Sequence, residues 1–123
     1  MKFPLTKQEA FDAAYIGVVN QGYRNVDNGI CVYNSANGGK CAAGFVFAIT
    51  NPSENPDSFK ATLGIDARAV MIRFGYEDKD MSKFLCEIQT AHDYPTDECF
   101  VHNFKVEMHR VALKHKLNTP EVA

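Results

Sequence analysis

At 123 residues the chain matches the commonest size of a single domain, long enough to bury a core without a disulfide or metal staple. Hydrophobic residues at 46% and charged residues at 23% argue against disorder, and a net charge of -2 argues against nonspecific binding to nucleic acid or an anionic membrane. No apolar run approaches the roughly 18 residues that span a bilayer, and the segment Met1 to Glu9 lacks the apolar core of a secretory signal, so a cytoplasmic setting with reduced cysteines and no membrane partner is expected.

Thr6-Lys7-Gln8-Glu9 is a capping box. Phe11, Ala14, Tyr15, Val18 and Val19 then fall on one face, and Gly22 supplies a stop, so the pattern predicts a helix over about 7–21. Ile30 to Tyr33 reads as a short strand, and Asn34 to Gly39 as a turn rich in Asn and Gly. Lys40 to Ile49 is apolar and ambiguous: it either pairs back as a strand or starts a buried helix at Cys41. Ala42, Ala43 and Gly44 imply close packing in both cases.

Asn51 to Asp57 is a loop, and a short helix is expected over about 57–63. Asp66 caps a helix carrying Val70, Met71 and Phe74 that Gly75 ends. Asp78 or Asp80 opens a helix whose inner face is Met81, Phe84, Leu85, Ile88, Ala91 and His92, with Pro95 beyond it. Thr96 or Asp97 caps a last helix with Phe100, Phe104, Met108 and Ala112 inward, and the tail past Thr119 is expected to fray. The whole reads as one domain over 1–123, mainly α (α+β): a bundle of about four to five helices with a short β-hairpin-like segment around residues 30–48.

The chemistry concentrates at Gly38-Gly39-Lys40-Cys41. At a helix start beside a lysine, the Cys41 thiol would gain thiolate character, and His92 with Asp93 would supply a base and its orienting carboxylate, giving a hydrolase or transferase. Packing explains the same residues equally simply, with Cys41 a small core residue and His92 a core histidine. The glycines with Lys40 also form a turn suited to a phosphorylated ligand, although GxxxxGK[ST] is absent. Cys31, Cys41, His92 and Asp93 are acceptable zinc ligand types, but their spacing fits no common structural site, so no metal and no cofactor are expected. His102, His109 and His115 read as a solvated helix face, and loop tyrosines such as Tyr23, Tyr76 and Tyr94 suit a binding surface.

Cys31-Val32-Tyr33, Gly39-Lys40-Cys41-Ala42-Ala43-Gly44 and Leu85 to Asp93 together resemble a family of small uncharacterised proteins of phages, prophages and bacteria, with the pattern C-x-Y-R, G-x-K-C-A-x-G and L-x-x-L-Q-x-x-H-D. The chain departs at Asn34, where the pattern often has Arg, and at Ile88, where it often has Leu. The resemblance implies a small accessory protein that binds a host protein or sequesters a small, phosphorylated ligand in an anti-defence or host-takeover role. It places any shared site where Tyr33, Gly38, Gly39, Lys40, Cys41, Gln89, His92 and Asp93 converge. A cysteine-dependent enzyme and an oligomeric assembly protein are the alternatives, with the balance against an enzyme and against a nucleic-acid partner.

Overall fold

The computed structural model describes residues 1–27, 30, 31, 33, 38–54, 66–95 and 98–122. Helix α1 (Lys7–Gln21) begins at the capping box: the Glu9 amide donates to Thr6 Oγ1 at 3.1 Å and the Thr6 amide to Glu9 Oε1 at 2.9 Å. It ends at Gly22, whose φ of 83° is a left-handed stop that costs glycine little. Helices α2 (Ala42–Thr50), α3 (Ala67–Arg73), α4 (Lys79–Asp93) and α5 (Phe100–His115) follow. The carboxylates of Asp66 and Asp78 accept from the Ala69 and Met81 amides and so cap α3 and α4. Two two-residue strands, β1 (Val26–Asp27) and β2 (Ile30–Cys31), pair antiparallel with Val26 opposite Cys31.

Helix α4 is the axis of the molecule, packing against each of the other four helices. Its buried residues Met81, Phe84, Leu85, Ile88, Ala91 and His92 recur every three to four positions, one apolar stripe of a helix. Phe11, Val18, Phe47, Met71, Phe104 and Met108 meet that stripe from the surrounding helices. The close approach of α1 and α2 depends on Gly17, where a Cβ would collide with the Phe45 ring.

Three expectations change. Residues 42–50 are helical, so the apolar run from Ala42 onward is not the second arm of a hairpin. The buried positions Ala42, Ala43, Val46 and Phe47 are spaced as one side of a helix, a period a strand cannot satisfy. Helix α5 takes Cys99 as its N-cap, in the left-handed region at φ 56°; Thr96 and Asp97 lie outside the described residues, as do the turn residues 34–37 and the short helix expected over 57–63. The start of the tail is held: the Gln8 side chain donates to the Asn118 carbonyl and accepts from its amide, each at 2.9 Å, and Val122 packs on the core.

Candidate functional site

The structure brings Lys40, Cys41, Gln89, His92 and Asp93 together where the start of α2 meets the end of α4. Cys41 is the N-cap residue of α2, but its thiol makes no cap hydrogen bond and is 1% exposed. The cap comes from the neighbouring helix instead: Gln89 Oε1 accepts from the Ala43 amide at 3.0 Å. The other end of that carboxamide, Gln89 Nε2, donates to Asp93 Oδ1 at 2.8 Å, one turn along α4. Gln89 therefore fastens α2 to α4 while occupying an amide that an anion would need.

His92 is fully buried. The Asn25 amide can only donate, and it does so to His92 Nε2 at 3.4 Å, so Nε2 carries the lone pair. Nδ1 then holds the proton and donates to Asp93 Oδ1 at 2.8 Å. A base with an orienting carboxylate is thus present, as the adjacent His92-Asp93 pair suggests. Its working nitrogen, however, accepts a backbone amide. The ring packs edge-on against Phe100, with centroids 5.6 Å apart.

The glycine turn is bound into the same joint. Asn25 Nδ2 donates to the Gly39 carbonyl at 3.0 Å. Gln21, at the end of α1, accepts from the Lys40 amide and donates to the Lys40 carbonyl, each at 2.8 Å. Gly38 has φ 87° and is exposed, and Lys40 Nζ reaches back to its carbonyl at 3.4 Å. Arg24 closes the outer edge by donating to the Asp93 carbonyl at 3.2 Å.

Tyr33 seals the inner side. Its carbonyl lies where a Cβ on residue 44 would stand, so only glycine fits there, and its ring is 6.0 Å from that of Phe47. Burial pushes the Tyr33 phenol far above its ordinary range, and the nearby Cys41, Asp66, Asp93 and Cys86 push the same way. Tyr33 is a buried neutral phenol with these groups around it.

Among the described residues no group of three or more His, Cys, Asp or Glu side chains is placed to hold a metal ion. The Cys31 side chain lies outside the described residues. His102 and His109 are exposed on α5, whereas His115 is drawn into a charged cluster: its Nε2 meets Glu87 at 2.8 Å and its Nδ1 meets Lys7 Nζ at 3.4 Å.

A separate groove, of about 910 Å³, lies away from this joint and runs between α3 and α4. Arg68 and Ile72 form one wall, Lys79, Lys83 and Cys86 the other, and Tyr76 lies at the connection between the two helices. Cys86 is half-buried; burial pushes its thiol up, and a hydrogen bond from the Arg68 backbone offsets only part of this. The wall residues follow helical spacing, Arg68 with Ile72 at i, i+4 and Lys79, Lys83, Cys86 at i, i+4, i+7, which is the signal in the sequence that would have marked them.

Comparison with family models, with curated proteins and with solved structures finds no match for this chain.

Proposed function

We propose that this chain is a non-catalytic binding protein that engages a partner protein through the groove between α3 and α4. The observation that carries the reading is a contrast in how the polar groups are used. At the Cys41–His92 joint the Lys40 and Ala43 amides and both ring nitrogens of His92 are engaged within the chain. In the groove the side chains of Arg68, Lys79 and Lys83 make no hydrogen bond or ion pair with the described residues, and Ile72 stands 63% exposed beside them. An open groove with an exposed apolar side chain and available charges supports the reading of a binding surface. The buried thiol of Cys41 and the occupied Nε2 of His92 weigh against cysteine-dependent catalysis. The resemblance to small phage and prophage proteins makes a host protein the expected partner, in the cytoplasm.

Cys86 provides the test, because it lies in the groove while Cys99 lies exposed at the start of α5. The full chain is used to capture partner proteins, and alkylation of the two thiols is followed by mass spectrometry in the free and captured forms. Protection of Cys86 with Cys99 unchanged is the expected result. Stable capture that leaves Cys86 as reactive as in the free chain would refute the groove as the interface.

A further inference from the structure

The occupant of the groove follows from its charge and shape, given the reading of the groove as a protein-binding surface. Helices α3 and α4 are joined through the short connection at residues 74–78, and the Arg68 backbone donates to Cys86. Position along the groove is thereby set. The end at the connection holds Tyr76 and Ile72, and Arg68 stands at the far end. Lys79 and Lys83 lie one turn apart along the α4 wall between them.

The acidic residues of the groove are Glu77 and Asp78, both at the connection. Asp78 is already engaged as the cap of α4. The charged side chains that line the two helical walls are therefore all positive, and none of them forms an ion pair within 4 Å among the described residues, although Lys83 feels the field of Asp80 one turn back on α4. Between them lie the exposed aliphatic face of Ile72, the buried Tyr76 ring and the half-buried Cys86 thiol. A basic peptide would set like charges against Arg68, Lys79 and Lys83, and a purely apolar one would leave them desolvated and unpaired.

We infer that the α3–α4 groove takes an acidic amphipathic segment of a partner protein, seating an apolar anchor on Ile72 and Tyr76 and directing carboxylates to Lys79, Lys83 and Arg68. The mode is that of a short segment laid in a groove, with the apolar anchor supplying affinity and the charged walls supplying selectivity and encounter rate.

The test uses the full chain and a fluorescein-labelled peptide carrying glutamates around a central Leu-Phe pair, with the lysine-for-glutamate peptide as its inverse. Fluorescence anisotropy should show saturable binding of the acidic peptide alone, weakening as salt is added. The double variant Lys79→Glu, Lys83→Glu should lose about tenfold or more in affinity. Ile72→Ser should weaken binding without altering its salt dependence. All three positions are exposed, so circular dichroism should be unchanged. Equal binding of the lysine peptide, or undiminished affinity in the double variant, would overturn the inference. If the acidic peptide fails to bind while a captured protein still shields Cys86, the acidic partner is wrong and the groove stands. If nothing that binds the chain shields Cys86, the groove itself is wrong.

Discussion

Two histidine–carboxylate clusters lie along α4, one at its C-terminal end and one near its middle, and they differ in what surrounds them. In the first, His92 is fully buried, with Nε2 receiving the Asn25 amide and Nδ1 donating to Asp93. In the second, His115 and Glu87 form a clasp at the rim: Lys114 meets Glu87 at 2.9 Å, Lys7 meets both His115 and Asp80, and the His115 ring sits edge-on to Phe84 at 4.8 Å. The Lys7 ammonium donates to His115 Nδ1, so Nε2 carries the proton toward Glu87, the reverse of the tautomer at His92. The first cluster joins segments in the core, where a lost partner leaves a buried group unsatisfied. The second ties α1, α4 and α5 together at the water boundary, where screening keeps each pair weak. A histidine beside a carboxylate is thus not in itself a mark of chemistry, because both pairs are engaged in holding helices together.

The largest difference should come from truncating the two histidines. His92→Ala leaves a cavity and removes the hydrogen bond from the Asn25 amide, and should cost about 3–4 kcal/mol, whereas His115→Ala should cost about 1 kcal/mol; urea midpoints of the two variants measure the gap. Next comes Gly44→Ala at the core joint. The added methyl meets the Tyr33 carbonyl, so despite the better helix propensity of alanine it should destabilise by about 1–3 kcal/mol in thermal or urea unfolding. Gln89→Ala removes the cap on Ala43 and one bond to Asp93, for about 1–2 kcal/mol, and should speed amide exchange in the first turn of α2 ahead of the rest of the core.

The smallest effect belongs to the clasp and depends on pH. Partial burial pushes the Glu87 carboxyl up, but hydrogen bonds and charge from His115 and Lys114 outweigh it and hold the group below its ordinary value. A carboxyl depressed in the folded state adds stability above its unfolded value, about 4.3, and that contribution fades as pH falls through the folded value. Wild type should therefore exceed Glu87→Gln by less than about 1 kcal/mol at neutral pH, with the two converging in acid, when unfolding is compared across the range. An advantage that grew in acid would reverse the sign of this account.

Much of this was legible in the sequence because it depends on local pattern. The Thr6-Lys7-Gln8-Glu9 box, the caps at Asp66 and Asp78 and the stripe from Met81 to His92 each fix a helix through neighbours within a turn or two. The convergence of Lys40, Cys41, Gln89, His92 and Asp93 was visible as an expectation, since His92 lies on the inner face of α4. What periodicity could not supply was the state of those groups. The Asn25 amide on His92, 67 positions away in the chain, and the Gln21 bridge to Lys40 are long-range hydrogen bonds without a motif. The strand-or-helix choice for Ala42 to Thr50 was likewise settled by packing against Tyr33 and Gln89. The groove is only faintly legible, because three cations and an isoleucine at helical spacing mark one helix face without telling a binding wall from a solvated one.

The most direct measurement is the alkylation rate of Cys41 in the native protein, set against its rate in urea. If the joint is structural, Cys41 reacts only as fast as the whole domain unfolds, and slows in step with every stabilising condition. If Cys41 instead reacts rapidly in the native protein at neutral pH, and His92→Gln abolishes that reactivity while leaving the fold intact, the joint is an active centre and the account given for it is wrong.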